Sequence, residues 1–391
     1  MNPSPKQFVF SSQLKILSAL LIFFGIATFT MGLSQSPERA WANYLLNYFF
    51  WFSLGMGGIF FAALQYITGS VWSTPVRRIA EVFSGFLPIA LLLFVVLLLF
   101  GFHTLYEWTH HAVVEEDVLL SGKSPYLNVS FFVTRQGLLY LLCFVGGGLM
   151  IRNSLKQDQS GGPKWTKKNV TISAPFILLF AFLFTFASFD LLMSLSPHWF
   201  STIFGVYCWT GLFYSTLAML TAWVILLRKS GHLTTYVNEN HLQDLGKLMF
   251  AFLVFWGYIG FSQFMLIWYA NLPEENFYYI VRNAGGWKQI SIALILVKFV
   301  IPFFLIVSRF AKRNENWLLF VAIWFLGAHW LDLYWIVFPT FFKSPLFGWM
   351  ELGIFGGFAG LFLFSVGIFL SRVPVLAIHD PYLQEGLHHH Q

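Results

Sequence analysis

Residues 83–102 read FSGFLPIALLLFVVLLLFGF, twenty positions without one ionisable side chain. As a helix rising 1.5 Å per residue this stretch is about 30 Å long, the thickness of a bilayer's hydrocarbon core. A chain inside that core must satisfy its backbone polar groups internally, so the stretch reads as a membrane-crossing α-helix. Similar apolar stretches recur at about 14–32, 44–67, 130–151, 172–194, 200–227, 248–270, 288–308, 316–338 and 350–370. The expected fold is therefore all-α and polytopic, one integral membrane domain of ten transmembrane helices within residues 1–391. Composition points the same way. Hydrophobic residues make up 57% and charged residues 10%, against roughly 25% charge in soluble domains, which excludes a water-soluble protein. Only Lys6 and Lys15 precede or open the first span, with no small-residue cleavage site, so that span reads as retained and not as a signal peptide.

Sixteen of the 23 Lys and Arg fall on one side, among them Arg77, Arg78, Lys164, Lys167, Lys168, Lys312, Arg313 and Arg372. Six fall on the other: Arg39, Lys123, Arg135, Arg282, Lys288 and Lys343. By the positive-inside rule both termini are cytoplasmic, with residues 371–391 a cytoplasmic tail. The net charge of +6 then reports orientation, and a nucleic-acid partner is not expected. Outer loops carry the acidic runs Glu115-Glu116-Asp117 and Glu274-Glu275. The inner stretch 152–171, with Ser160-Gly161-Gly162-Pro163, reads as the most linker-like, and 103–129 as the longest external segment and a docking surface. Glycines at 55, 57, 58, 146, 147, 148, 353, 356, 357 and 360 read as close helix packing.

Cys143 and Cys208 lie in apolar runs, which leaves no disulfide framework, haem-attachment motif or iron–sulfur ligand set. Of the eleven histidines only His329 lies well inside a span, with His103 and His198 at outer edges, so paired axial ligands for a b-type haem are not expected. His388, His389 and His390 read as part of a solvated tail, and no metal site is expected. Phosphate-binding glycine loops and HExxH are absent from the sequence.

A charge at the bilayer centre costs on the order of 3 kcal/mol or more, so each one calls for a partner. Lys298 lies roughly 15 Å into its span, and Pro302, four residues later, cannot donate to its carbonyl, which predicts a kink with a free acceptor. Ser291 shares its face. His329 and Asp332, three apart, share a face of the ninth span, while Asp190 and Glu351 stand at outer span ends. A proton path through Asp190, Lys298, His329, Asp332 and Glu351 is one reading. A structural ion pair of Lys298 with Asp332 or Glu351 is another, and a ligand site a third; spacing does not separate them. His103, Glu107 and Arg135 form a second outer group, either a quinone-binding site or interfacial side chains pairing at span ends.

Four stretches together resemble the F-type membrane subunit of alternative complex III, the bacterial quinol:cytochrome c oxidoreductase of the polysulfide-reductase (NrfD-like) family. They are 190–207, from Asp190 through His198 to Tyr207; 268–275 with Gly285-Gly286-Trp287; 332–339, Asp332 to Pro339; and His379-Asp380-Pro381-Tyr382-Leu383-Gln384-Glu385. Residues 47–78 are also similar, so the likeness covers most of the chain. The resemblance implies two four-helix bundles, about 44–194 and 200–338, plus two flanking helices, 14–32 and 350–370. It implies a bacterial inner membrane and a related NrfD-like membrane subunit, an iron–sulfur subunit and cytochrome c subunits as partners, beside membrane lipid. Menaquinol, iron–sulfur clusters and haem c are expected in the complex, with none bound by this chain and no complete catalytic site within it. The resemblance further implies scaffolding of the redox subunits and a transmembrane proton path. Two positions depart from the pattern: Ser196 stands where similar sequences often carry an acid, and Lys298 where a histidine is common. The second change raises the reference pKa from about 6.5 to about 10.4, so easy proton exchange there needs strong desolvation. A stand-alone secondary transporter with a central Lys298 and broken helices, or a purely structural anchor, are the competing expectations.

Overall fold

The structure, a computed structural model, describes residues 6–390. Ten helices among them are long and apolar enough to cross a membrane. They are α1 (Ser12–Gln35), α2 (Pro37–Ile67), α3 (Thr74–Leu105), α4 (Val129–Ser160), α5 (Lys164–Leu195), α6 (Phe204–Lys229), α7 (Glu239–Ala270), α8 (Trp287–Ile306), α9 (Glu315–Phe341) and α10 (Trp349–Arg372). No strand occurs among the described residues. The chain thus has the all-helical, multi-pass architecture that its apolar stretches dictate.

Helix ends follow local chemistry. Ser36 alone separates α1 from α2, whose first residue is Pro37, a position where the missing N–H costs nothing. Asn238 caps α7 with its side chain, and Asn271 ends that helix in the left-handed conformation at φ 50°. Gly161 and Gly162, at φ 66° and 78°, stop α4. Several helices run beyond their apolar stretches, because polar turns extend a helix into the interface without adding hydropathy. The linker expected over 152–171 shrinks to Gly161-Gly162-Pro163, the remainder being the ends of α4 and α5. The external segment likewise contains two short helices, His111–Glu116 and Val118–Lys123.

Helices α2–α5 pack as one four-helix bundle and α6–α9 as a second, with α2 and α6 facing each other at the centre. The most apolar windows of α2 and α6 are 100% and 89% buried, against 17% for α1, which makes these two the axis of the molecule. Helices α1 and α10 pair with each other beside α2 and α3. Gly25 lies on Gly357, Gly353 on Thr28, and Gly360 on Leu21 and the Ser18 carbonyl, so backbones approach where side chains are missing. The glycines of α2 act alike, Gly57 against Thr216 and Gly58 against Ala80.

Both chain ends lie at one end of the bundles, called here the terminal end, where Gln7 donates to the Ser371 carbonyl at 3.1 Å. The tail beyond α10, expected to be solvated, folds back across this end. Asp380 pairs with the buried Arg77 of α3. The Ile378 N–H donates to Asp158 of α4 at 2.9 Å. His241 of α7 reaches the Gly386 carbonyl at 3.0 Å, and His389 reaches Asp244 at 2.7 Å. The histidine run is therefore partly docked: buried polar groups on three helices needed partners, and the tail supplies them.

Candidate functional site

Residues Leu296–Val300 of α8 form a π-turn, one residue wider than the α-helix, with Lys298 at its middle. In this wider register Pro302 is five residues after Val297 and has no N–H to give it. The Val297 carbonyl instead accepts from the indole of Trp324 on α9 at 2.8 Å. The unpaired acceptor expected at Lys298 is thus moved one residue back and capped from the neighbouring helix.

Lys298 is fully buried. Its ammonium donates to Asp332 Oδ2 at 2.5 Å and to His329 Nδ1 at 3.1 Å, both on α9. It also lies 4.4 Å from the ring centroid of Trp256 on α7 and 5.1 Å from that of Tyr214 on α6. Asp332 Oδ1 accepts from the hydroxyl of Tyr207 on α6, also at 2.5 Å. All four helices of the second bundle therefore meet at one ion pair. Ammonium and carboxylate cancel, and the aromatic faces add cation–π attraction where water is excluded. The His329 ring lies over Gly211, where any Cβ would collide with it, and 5.7 Å from the Phe50 ring centroid. Because Nδ1 accepts from the ammonium, Nε2 carries the ring proton, and Nε2 has no partner among the described residues.

The other candidates lie elsewhere. Asp190 receives a bidentate pair from Arg135, at 2.8 and 2.7 Å, and a third bond from Gln136 at 3.1 Å, all within the first bundle. Glu351 receives Arg39 at 2.8 and 2.6 Å, Asn43 at 3.0 Å and the Gly348 N–H at 2.7 Å. Neither carboxylate bonds to the Lys298 cluster. An amide ladder on α2 leads from Asn43 to Asn47, whose Oδ1 accepts from Trp330 beside His329, but amides and an indole carry no titrating proton. Ser291 is also engaged elsewhere, donating to the Arg282 carbonyl and accepting from Trp335.

The group of His103, Glu107 and Arg135 does not converge. Arg135 is held by Asp190, donates to the Tyr126 carbonyl and stacks on the Tyr126 and Phe131 rings. His103 is exposed and bonds to Thr109. Glu107 instead lines a cavity of about 180 Å³ at the end opposite the termini, with Ser196, His198, Tyr278, Arg282 and Thr340. A quinone ring has no joint donor set in the three residues.

Sequence reasoning placed Lys298, His329 and Asp332 but not Tyr207 or Trp256, which carry no charge and belong to other helices. It also left Arg282 as an outer-loop cation. Arg282 is buried, stacked on Tyr278, and donates to the carbonyls of Trp335 and Ile336. Pro339, four residues after Trp335, removes the N–H that would otherwise satisfy that carbonyl, and this was the available signal. Nearer the surface His198 meets Asp117 at 2.5 Å and holds its carboxyl below the usual carboxylate range. Burial lowers the neighbouring Lys123 ammonium. No protein-family model matches the chain, and no curated protein matches it significantly.

Proposed function

We propose that this chain is an integral subunit of a quinol-oxidising respiratory complex in a bacterial inner membrane, scaffolding redox subunits and carrying protons through its second bundle. The four stretches resembling the F-type subunit of alternative complex III support the assignment to such a complex. The observation that carries the proton path is the buried string Tyr207–Asp332–Lys298–His329. With the termini cytoplasmic, as the distribution of Lys and Arg favours, Tyr207 lies toward the outer face.

The string moves a proton by partner exchange. When Tyr207 passes its hydroxyl proton to Asp332 and takes another from the outer side, the carboxylate is neutralised. Lys298 then holds an uncompensated buried charge, and its proton passes to His329 Nδ1 as the Nε2 proton passes to water admitted from the cytoplasmic side. Asp332 returns its proton to Lys298, which restores the pair, and exchange of the His329 proton from Nδ1 back to Nε2 through water resets the tautomer for the next cycle. The reverse sequence carries a proton outward.

Purification in mild detergent, with mass spectrometry of the accompanying subunits and a reduced-minus-oxidised spectrum, tests the assignment. Iron–sulfur and c-type cytochrome subunits are expected; a chain that purifies alone and colourless contradicts it. The path is tested separately by the double substitution Lys298→Met with Asp332→Leu in the assembled complex. Replacing both partners of a buried pair by apolar groups is commonly neutral for stability. Assembly should persist while transmembrane proton movement falls to background. Unchanged proton movement would reduce the ion pair to a packing device.

A further inference from the structure

On the surface of the first bundle, α3 and α4 leave a groove of about 540 Å³ between them. Its walls are apolar, formed by Leu87 and Pro88 of α3, Phe144 of α4 and Phe369 of α10. Two glycines keep it open. A Cβ built on Gly148 would meet nothing within 4 Å, and Gly85 sits against Phe369 with no side chain of its own. The π-turn Cys143–Gly147 shifts the phase of α4 just before Gly148. At its terminal end the groove changes character: Arg152 and Lys156, one turn apart on the same face of α4, line it together with Gln159. No carboxylate lines it.

Arg152 is exposed and makes no hydrogen bond or ion pair among the described residues. The Lys156 ammonium lies 5.1 Å from the Trp165 ring centroid. Along α4 the distance from Phe144 to Arg152 is roughly 12 Å, close to the hydrocarbon depth of one leaflet, about 15 Å. Phe144 is at the middle of α4 (Val129–Ser160), so with that helix centred in the bilayer the two cations stand near the phosphates of that leaflet, and the apolar slot runs inward from them.

We propose that this groove binds an anionic glycerophospholipid, with its phosphate between Arg152 and Lys156 and one acyl chain along Phe144, Gly148 and Leu87. Charge complementarity selects the occupant: two cations without a carboxylate favour a headgroup of net negative charge. A neutral lipid gains the same apolar contact but not the second attraction. The site is independent of the proton path and of the assignment to a respiratory complex.

The test uses the full chain with whatever subunits co-purify, titrated after delipidation with phosphatidylglycerol or phosphatidylcholine and read by native mass spectrometry. Phosphatidylglycerol should be retained about tenfold more strongly. Arg152→Gln and Lys156→Gln should each weaken it roughly fivefold while leaving phosphatidylcholine unchanged. Gly148→Leu, which fills open space, should displace both lipids without lowering the thermal unfolding midpoint. Equal retention of the two lipids, or undiminished phosphatidylglycerol retention in the Arg152→Gln/Lys156→Gln protein, would overturn the proposal. So would a quinone or a partner helix occupying the slot in place of lipid.

Discussion

Lys298 shows what a single ionisable side chain needs in order to persist at membrane depth: an opposite charge, a neutral acceptor and two aromatic faces, drawn from three neighbouring helices. Part of this was visible in the sequence. A lysine deep in an apolar run demands a counter-charge, and the spacing of three between His329 and Asp332 puts both on one face. Glu351 looked equally available as the counter-charge and Asp190 as a member of the path, yet each is matched by an arginine that sequence alone had assigned to a loop or a span end. Which acid meets which base is decided by helix adjacency, and hydropathy contains no information on that. At the surface, Asp117 offers a titration that can be followed residue by residue. Its Oδ1 accepts from the N–H groups of Leu119 and Leu120, and its Oδ2 meets His198. A carboxyl whose pKa is lowered by folding stabilises the fold above its unfolded value near 4, and that support is lost as pH falls through the lowered value. The protection factors of the Leu119 and Leu120 amides, exchange rates corrected for their intrinsic pH dependence, should be higher at neutral pH and fall below about pH 4. A flat profile across that range would refute the coupling.

Elements differ in how much they betray of themselves. Every membrane-crossing helix was legible as a run of apolar residues, because the bilayer imposes one length on all of them. The π-turns in α3, α4 and α8 were not, since no residue type marks the inserted position. Pro302 signalled a break in α8 but not its register, which depended on Trp324 approaching from α9. Glycines marked close approaches without naming the partner. The pairing of α1 with α10 gives that distinction a test. A Cβ on Gly357 would lie 2.7 Å from the Cα of Gly25, a backbone atom unable to yield, whereas one on Gly356 would meet only Leu21 at 3.6 Å. Gly357→Ala should therefore cost about 1–3 kcal/mol, read as a lowered unfolding midpoint in detergent. Gly356→Ala should leave the midpoint within error, and equal effects would argue against the seam.

The whole molecule separates its charges by end. At the terminal end Arg77, Arg78, Glu81, Asp158 and Asp380 form a buried network joining α3, α4 and the tail. The distribution of Lys and Arg predicted many cations there but not that arginines would be buried, because only Glu81 is near them in sequence while Asp158 and Asp380 are distant. Asp380→Asn would leave Arg77 with a single ion pair, the longer one to Glu81 at 3.9 Å, beside its stacking on Tyr66. Breaking one side of a buried pair costs about 3–5 kcal/mol, so the variant should unfold at a distinctly lower denaturant concentration. An unchanged midpoint would show that the tail contributes little.

That tail also imposes an order of events. Its contacts reach α3, α4 and α7, yet it follows all ten crossings along the chain. During biosynthesis the two bundles must consequently find each other in the lipid through α2, α5, α6 and α9, and the latch beneath them can close only after the final helix has been threaded.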